Sequence, residues 1–415
     1  MSTPKVYIAI PAMDEKDYLF RTLDCIASQQ CDYPIEVFVC VNQPEDWWNH
    51  PEKMAICENN RQTISLLKNY STLSVKCIDR SSKGNAWANA KQGVGHARKE
   101  LVQVIATVAS DDDILISMDA DTLFEPDYCQ SVVKNFRLHP SAVAMAVPYY
   151  HKKNDSELET RAMLRYEIYM RNYNLHLLRI GSPYAYTALG SAIACKMKAC
   201  KAVNGFDTHT SGEDFYFLQK LCKHGHILRY NKSKVYPATR FSDRVPFGTG
   251  PAIYNGSQGD FISYPIFHHN GFEVIQEVYK QIDRLFCEDF ENEFLDFLNT
   301  VFPLGDIWTP LRKNYKTLPL FTKAFHTKAD GLRIFQFLRN YQQKLNRNDE
   351  QCLSDNLQYT YPNQYADLFS DKEAFSFLEM PIEQLNRLRD FLMEQETKYQ
   401  IQMDMKLLDS KQVDK

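Results

Sequence analysis

An apolar run that ends in two carboxylates constrains the fold of this chain more than any other feature. Residues 114–118 are typical of a buried strand, and Asp119-Ala120-Asp121 follows them directly. Open α/β sheets bind their ligands just beyond the carboxyl ends of their strands. Two hard oxygen donors one residue apart can share Mg²⁺ or Mn²⁺, and such a cation can neutralise the phosphates of a nucleotide. The triplet alone also fits an ordinary turn, because aspartates cluster in loops, as in Asp111-Asp112-Asp113.

The bulk properties exclude several classes of protein. The chain has 415 residues and a formal net charge of −4, so we expect no nucleic-acid footprint spread over its surface. Because no run of eighteen apolar residues occurs and the chain enters a strand directly after residues 1–5, we expect neither a spanning helix nor a signal peptide. Its 11 cysteines include no Cys-x-x-Cys pair, which favours reduced thiols in a cytoplasmic protein over a zinc site or disulfide framework.

Strands and helices alternate over the first part of the chain, which predicts an α/β fold with a mainly parallel sheet and helices on both faces. The predicted strands are residues 6–10, 35–41, 73–78, 114–118 and 142–147. The predicted helices are residues 16–28, a segment within 52–68, a segment from 85 toward 108, and 126–138. The loops after the first four strands should therefore meet at one edge of the sheet.

The pattern changes after residue 155. A long helix is predicted at residues 156–178, with Arg161, Arg165 and Arg171 interpreted as a solvated face. Further predictions are a strand at 189–194 with a close backbone approach, a helix at 215–224 and a strand at 227–230. Residues 239–270 lack periodicity and are typical of a lid or binding loop, and a mostly helical region follows residue 272. We expect one domain over 1–250 and a loop with a helical region over 251–415.

Five motifs occur in order along the chain: Ile8-Ala9-Ile10-Pro11-Ala12-Met13-Asp14-Glu15, Val39-Cys40-Val41-Asn42, Lys83-Gly84-Asn85-Ala86, Asp119-Ala120-Asp121 and Gly212-Glu213-Asp214. Taken in this order, they resemble the motifs of the family-2 glycosyltransferases, whose fold is named GT-A. The first two resemble the opening strand with its base-binding turn and the end of the second strand. The third resembles the Gly-Lys loop, the fourth matches the metal-binding DXD motif, and the last matches the acidic pair that supplies the general base. The resemblance covers residues 5 to 250.

The resemblance implies a GT-A enzyme that moves a hexose from a nucleotide sugar, with UDP favoured, to a saccharide or lipid-linked acceptor. It assigns the general base to Asp214 and acceptor binding or orientation to Glu213, with inversion at the anomeric carbon. The divalent cofactor, Mn²⁺ or Mg²⁺, is assigned to Asp119, Asp121 and His268. The predicted nucleotide contacts are Pro11, Asp14, Glu15, Asn42, Asp79, Lys83, Asp119 and Arg244. Arg240 is a further candidate for the diphosphate or the acceptor.

Departures from the family pattern leave some features open. Ala12-Met13 and Asn42-Gln43-Pro44 differ from the usual base-binding turns, so the nucleotide base is not fixed. No Gln-x-x-Arg-Trp element follows the acidic pair, which favours a single addition over a polymerase. Structural interpretations also remain for single residues: Asp214 as a helix cap, Lys83 as a solvated lysine and His268 as a packing residue.

Two other functions compete with transfer. A sugar nucleotidyltransferase shares the sheet and carboxylates, but it should carry a Gly-rich phosphate loop, and residues 11–15 contain no glycine. A non-catalytic nucleotide-sugar-binding module is disfavoured by Asp119, Asp121 and Asp214. The expected setting is polysaccharide biosynthesis in the cytoplasm. Whether the helical C-terminal region forms a homodimer or attaches to the inner face of the membrane is left open by its charge pattern.

Overall fold

The computed structural model describes residues 3–89, 92–209, 212–240, 254–255, 264–303, 305–368 and 375–409. The chain divides into two compact units that are each discontinuous in sequence. The first comprises Met1–Asp155, Ala188–Tyr254 and Ile401–Lys415, and the second comprises Ser156–Thr187 and Asn255–Gln400. Residues 156–187 cluster with the later helices, and residues 401–409 cluster with the sheet. The division into domains at 1–250 and 251–415 stays a prediction.

A seven-stranded sheet forms the centre of the first unit. Its strands are β1 (Val6–Ala12), β2 (Ile35–Asn42), β3 (Val75–Arg80), β4 (Ile114–Ser117), β6 (Ala142–Ala146), β7 (Ile193–Lys196) and β8 (His226–Leu228), in the spatial order β3-β2-β1-β4-β7-β6-β8. Only β7 among these strands runs antiparallel to its neighbours. All seven residues of β1 are buried, as expected for a parallel strand covered on both faces. The expected α/β class with a mainly parallel sheet is confirmed.

Helices cover the sheet, and a short strand pair lies beside it. The helices are α1 (Lys16–Ala27), α2 (Met54–Asn69), α3 (Val94–Ala106), α4 (Tyr128–Leu138), α6 (Met197–Ala202) and α7 (Glu213–His224). The strand pair is β5 (Leu123–Phe124) with β9 (Val235–Tyr236), and 3-10 turns occur at Glu45–Asn49 and Pro51–Lys53. In α1 the buried residues are Leu19, Thr22, Leu23 and Ile26. This three- and four-residue spacing places one face of the helix on the core.

The helix expected to start near residue 85 instead begins at Val94. Before it, the Trp87 N–H donates to the Gln43 carbonyl at 2.9 Å, and the Glu45 N–H donates to the Trp87 carbonyl at 2.7 Å. This pairing with a distant segment uses backbone groups that a helix would need for itself. The prediction of a longer α3 was wrong because tertiary pairing outweighs the helix preference of the small residues.

The second unit is helical in its described residues. Its helices are α5 (Glu157–Arg179), α8 (His269–Lys280), α9 (Ile282–Cys287), α10 (Glu293–Val301), α11 (Trp308–Asn314), α12 (Leu318–Lys328), α13 (Gly331–Gln342), α14 (Asp349–Thr360), α15 (Pro362–Leu368) and the part of α16 (Ile382–Asp409) up to residue 400. The predicted helical region is confirmed. Within the described residues, no helix is both long enough and apolar enough to cross a bilayer.

The arginines of α5 do not form the solvated face that the sequence suggested. Arg165 is 1% exposed and Arg171 is 2% exposed. Arg165 pairs with Asp349 at 2.5 Å, while Arg171 pairs with Glu167 at 2.5 Å and also with Glu396. The prediction was wrong because these guanidinium groups are buried against carboxylates of other helical turns, and paired burial is the usual condition for a charge inside a protein.

Candidate active site

The sheet brings the predicted loops to one edge. β1, β2, β3 and β4 are mutually parallel and end at Ala12, Asn42, Arg80 and Ser117. Their carboxyl ends therefore face the same way, as ligand-binding edges of such sheets do. The loop after β4 is held from both sides, because the Met118 N–H donates to the Ala9 carbonyl at 3.0 Å and the Thr22 hydroxyl donates to the Ala120 carbonyl at 2.9 Å.

The residues after β1 and β2 are tied to one another. Asn42 is 3% exposed, donates through Nδ2 to the Ala12 carbonyl at 3.1 Å, and accepts at Oδ1 from Trp87 Nε1 at 3.4 Å. Asp14 adopts a φ of 59°, a left-handed conformation that is uncommon outside glycine, and its N–H donates to Asn60 Oδ1 at 2.8 Å. Pro11 is buried within β1. Asn42 thus supports the turn, and nucleotide contacts by these residues remain predictions.

The loop after β3 is organised by a carboxylate. Oδ1 of Asp79 accepts the N–H groups of Ser81 at 3.0 Å and Ser82 at 2.9 Å. Burial acts to raise the pKa of Asp79, but the hydrogen bonds from Ser82 and Ser81 outweigh it and lower the pKa below its usual value. Asp79 therefore stays ionised and shapes the turn. Lys83 follows on the exposed side, with Nζ 5.5 Å from the ring centroid of Trp48.

A buried arginine that the sequence analysis did not identify connects the two acidic motifs. Arg98 lies on α3, and its side chain is 4% exposed. Its Nη2 donates to Asp119 Oδ1 at 2.5 Å, its Nε to Glu213 Oε1 at 3.0 Å, and its Nη1 to Ser117 Oγ at 2.6 Å. One guanidinium therefore connects a carboxylate predicted to lie beside the nucleotide sugar with a carboxylate predicted to lie beside the sugar acceptor.

Gly190 makes room for this guanidinium. A Cβ atom placed on Gly190 would lie 2.1 Å from Arg98 Nη2 and 2.9 Å from its Cζ, which is closer than atoms can approach. A side chain at this position would therefore displace Arg98 from its carboxylates. The close backbone approach expected within residues 189–194 was the signal in the sequence, but nothing in the sequence identified Arg98 as the group that approaches.

Asp214 lies in the first turn of α7, after Gly212 in a left-handed conformation with a φ of 73°. Its Oδ1 accepts the N–H of Phe215 at 2.7 Å. Burial and the adjacent Glu213 carboxylate raise the pKa of Asp214 to about 7, against the lowering effect of Arg98. A carboxylate with a pKa near neutrality is suited to exchange a proton at physiological pH.

Asp121 and Glu15 share a second guanidinium. Arg240 lies 2.7 Å from Asp121 Oδ2 and 2.5 Å from Glu15 Oε1, and its Cζ is 4.2 Å from the ring centroid of Tyr18. Burial acts to lower the pKa of Arg240, but Asp121 and Glu15 raise it overall, so the group is always charged. A permanently ionised guanidinium is thus paired with the carboxylate predicted to bind a metal. The other predicted arginine, Arg244, lies outside the described residues.

The predicted metal ligands are distributed over both units. His268 belongs to the second unit and caps α8, where its Nδ1 accepts the Asn270 N–H and its Nε2 is 3.4 Å from Asp355 Oδ2. Burial lowers the pKa of His268 below its usual value. In the part of the chain that the structure describes, no group of three or more His, Cys, Asp or Glu side chains is arranged to hold a metal ion. The role of His268 in metal binding stays a prediction.

Comparison with known proteins identifies similarity at the level of a family. Residues 114–318 match the family model described as glycosyl transferase family group 2. No curated protein matches. A structure of S. aureus TarS residues 1–349 with UDP-GlcNAc is 14% identical, with a TM-score of 0.41, and covers 82% of this chain and 92% of that chain. A Pyrobaculum calidifontis mannosyltransferase, PcManGT, with GDP-Man and Mn²⁺ is 15% identical, with a TM-score of 0.39, and covers 96% of this chain and 88% of that chain.

Proposed function

Because this chain belongs to the family-2 glycosyltransferases, we propose that it moves one hexose from a nucleotide sugar, UDP-linked, to a saccharide or lipid-linked acceptor with inversion at the anomeric carbon. The observation that carries this proposal is the acidic pair at the start of α7. There a carboxylate whose pKa is raised to about 7 stands beside Glu213, and Glu213 is bridged through Arg98 to Asp119 of the Asp-x-Asp motif. This connected cluster supports the proposal that the base and a carboxylate of the sugar-donor site act together.

Asp214 is proposed as the general base. The acceptor hydroxyl must lose a proton as it attacks the anomeric carbon, and the ionised carboxylate of Asp214 can accept that proton. A base whose pKa is near 7 is ionised in a large fraction of molecules at neutral pH and still holds the proton well once it has been transferred. Direct attack by the acceptor, without an intermediate on the protein, gives inversion.

Glu213 is proposed to act beside the base rather than as the base. Its Oε1 accepts from Arg98 Nε at 3.0 Å, and the residue is only 5% exposed. The adjacent Glu213 carboxylate is one cause of the raised pKa of Asp214, so Glu213 supports the proposed base electrostatically. Orientation of the acceptor by Glu213 is the other proposed role.

The carboxylate oxygens at the sheet edge are suitable ligands for a hard divalent cation. Asp119 and Asp121 present carboxylate oxygens, and Mg²⁺ in nucleotide enzymes is commonly held by one or two carboxylates together with substrate phosphates and water. A complete protein cage is therefore not required for this fit. When bound, the cation would neutralise charge that develops on the leaving diphosphate.

Cationic side chains are proposed to complete the donor site. Lys83 is exposed after β3 at the same edge of the sheet, where its ammonium can contact the diphosphate. Arg240 holds Asp121 and Glu15 through one guanidinium. A metal that binds Asp121 must compete with this guanidinium, which would then be released toward the diphosphate.

The test is calorimetry of the full chain with UDP and with GDP, each with and without Mn²⁺. The proposal expects one nucleotide to bind in a metal-dependent manner and Asp121→Ala to lose that dependence while keeping its thermal melt. Unchanged affinity and metal dependence in Asp121→Ala would contradict the metal assignment. A preference for GDP over UDP would keep the transferase proposal and change the donor.

A further inference from the structure

The turn between α11 and α12 exposes a group of apolar side chains in the second unit. Tyr315, Leu318 and Leu320 are 38%, 39% and 53% exposed, and every residue from 313 to 320 is exposed. Among the described residues, the other exposed large apolar side chains occur singly along the chain, which is ordinary for a protein surface. Three of them within one short turn form an apolar patch, and such patches mark interaction surfaces.

The core of the unit is complete without these side chains. The buried face of α12 carries Phe321 and Phe325. The ring centroid of Phe321 lies 5.3 Å from that of Phe286, and the ring of Phe325 stacks on Trp308 with centroids 5.6 Å apart. Leu320 lies on the exposed face of the same helix. The apolar patch is therefore available to a partner rather than needed for packing.

The patch lies in a segment whose formal charges are all positive. Residues 307–329 include no acidic residue, although the whole chain has a formal net charge of −4. The cationic residues of the segment are Arg312, Lys313, Lys316, Lys323 and Lys328. Arg312 pairs with Asp289 at 2.9 Å, and Nζ of Lys328 lies 4.9 Å from the ring centroid of Phe302. Three exposed lysines, at positions 313, 316 and 323, therefore flank the apolar side chains.

Acidic side chains in and just after α9, which packs against α11 and α12, already have other partners. Glu288 pairs with Arg284 at 2.7 Å, and Oδ1 of Asp283 accepts the Arg284 N–H at 2.9 Å. Asp289 is the partner of Arg312. Within the described residues, none of the three flanking lysines forms an ion pair. Their positive charge is therefore available to an external anion.

Apolar side chains beside free ammonium groups match the chemistry of an anionic lipid surface. Leucine side chains enter the boundary between headgroups and acyl chains, and tyrosine is favoured at the headgroup level. Lysines are attracted to anionic lipids, and their stems can lie along apolar surface while the ammonium stays hydrated. A two-fold contact between two copies would instead bring the same lysines of both copies together, and like charges oppose such a contact.

We propose that this turn docks the protein on the surface of a bilayer that contains anionic lipids. The docking surface consists of Lys313, Tyr315, Lys316, Leu318, Leu320 and Lys323. The two leucines enter the acyl boundary, the tyrosine ring lies among the headgroups, and the three ammonium groups contact lipid phosphates. Docking does not depend on the proposed transfer, but it would favour a lipid-linked acceptor over a saccharide in solution.

The experiment is co-sedimentation of the full chain with lipid vesicles in the absence of nucleotide, so its outcome does not depend on the proposed donor site. One set of vesicles is phosphatidylcholine alone, and the other contains roughly one-third phosphatidylglycerol. Wild type is expected to bind the anionic vesicles about 100-fold more tightly than the neutral ones, since each of three lysines contributes about fivefold. Added salt should weaken this binding because it screens the charges.

Two multiple variants separate the charged from the apolar contribution. Lys313→Gln/Lys316→Gln/Lys323→Gln should reduce binding to anionic vesicles by about 100-fold. Leu318→Ser/Leu320→Ser should reduce it by about tenfold or more, because less apolar surface leaves water on docking. All of the replaced side chains are exposed, so the melting temperatures should equal that of wild type.

Matched controls carry the same changes elsewhere in the same unit. Lys280→Gln/Lys344→Gln/Lys398→Gln removes an equal charge from exposed lysines outside the docking surface. Leu158→Ser/Leu378→Ser replaces two leucines that are 51% and 64% exposed. Both controls should bind anionic vesicles nearly as tightly as wild type.

Three results would overturn the proposal. The first is equal binding of wild type to neutral and anionic vesicles, or binding to neither. The second is an equal loss in the control lysine variant, which would assign the binding to net charge rather than to this turn. The third is a dimer in the absence of vesicles that Leu318→Ser/Leu320→Ser abolishes, since the surface would then belong to a contact between two copies. Sedimentation velocity measures this last property.

Discussion

Two guanidinium groups hold the two carboxylates of Asp119-Ala120-Asp121, and they do so in different ways. Arg98 is 4% exposed, lies in the middle of a helix and makes three side-chain hydrogen bonds in a space that Gly190 leaves open. Arg240 is 21% exposed and pairs with Asp121 and Glu15 from a residue outside any helix or strand. Buried charge pairs are costly to break, whereas partly exposed pairs exchange with solvent ions more easily. We therefore expect Arg98 to be a permanent counter-ion of the site and Arg240 to be an exchangeable one.

The largest expected effect concerns the proposed base on the Arg98 side. Asp214→Asn keeps the size of the side chain and its ability to accept the Phe215 N–H, but it removes the carboxylate that is proposed to take the proton. Transfer should fall by about 10² to 10⁴, while nucleotide and metal affinities stay the same. The measurement is sugar transfer, or donor hydrolysis, together with calorimetry. A fully active Asp214→Asn variant beside an inactive Glu213→Gln variant would move the base to Glu213.

The raised pKa of Asp214 also predicts a stability effect of definite sign. The folded-state pKa of about 7 exceeds the ordinary value of 3.8, so between these values the unfolded chain has already released the proton that the folded chain keeps. Stability is then lost as pH rises through this window, with the full loss above pH 7. The melting temperature of Asp214→Asn relative to wild type should therefore increase from pH 5 to pH 8. A constant difference across that range would show that Asp214 has an ordinary pKa.

Replacement of Arg98 should lower the stability of the folded protein rather than impair a single catalytic step. Arg98→Met leaves the carboxylates of Asp119 and Glu213 without their buried partner, which should lower the free energy of unfolding by about 3–5 kcal/mol. Gly190→Ala should destabilise the protein by a related route, because its methyl group would displace the guanidinium without removing the charge. Chemical denaturation measures both effects.

Gly93→Ala is the control for the glycine variant. Gly93 precedes the helix that carries Arg98, and a Cβ there would meet no atom of the described residues within 4 Å. Its effect should be far smaller than that of Gly190→Ala. Similar losses in both variants would mean that the close approach to Arg98 is not the cause.

The difference between the two arginines also shows what the sequence could predict. The strands, the shared edge and the acidic motifs follow from apolar runs and from short local patterns, and the predicted fold class was confirmed. Arg98 was missed because its partners Asp119 and Glu213 lie 21 and 115 residues away along the chain. Arg165 and Arg171 were misassigned for the same reason, since charged residues on a predicted helix are assigned to its exposed face until their buried partners are known. The start of α3 was mispredicted because it depends on backbone hydrogen bonds between Trp87 and residues 43 and 45.

A smaller effect is expected for the exposed cation after β3. Lys83→Ala should weaken nucleoside diphosphate binding by about 1–3 kcal/mol, the range for a hydrogen bond to a charged group. Binding of the corresponding nucleoside should change far less. Lys53→Ala is a matched control, because Lys53 also lies over a tryptophan ring, 5.0 Å from the centroid of Trp47, and has no predicted role. Equal losses for nucleoside and nucleotide would remove Lys83 from the diphosphate site.

The smallest effect is the most direct test of an exchangeable Arg240. If the guanidinium competes with a divalent cation for Asp121, then Arg240→Gln should bind Mn²⁺ more tightly than wild type in the absence of nucleotide. The gain should be about 1 kcal/mol or less, because the pair with Asp121 is partly exposed and pairs of this kind contribute little. Paramagnetic broadening or calorimetry with Mn²⁺ alone measures this affinity without any turnover. In Arg240→Gln/Asp121→Asn the gain should disappear, since the shared carboxylate is gone. If Arg240→Gln instead weakened Mn²⁺ binding, Arg240 would be a support for the metal site rather than a competitor, and both arginines would be permanent parts of the site.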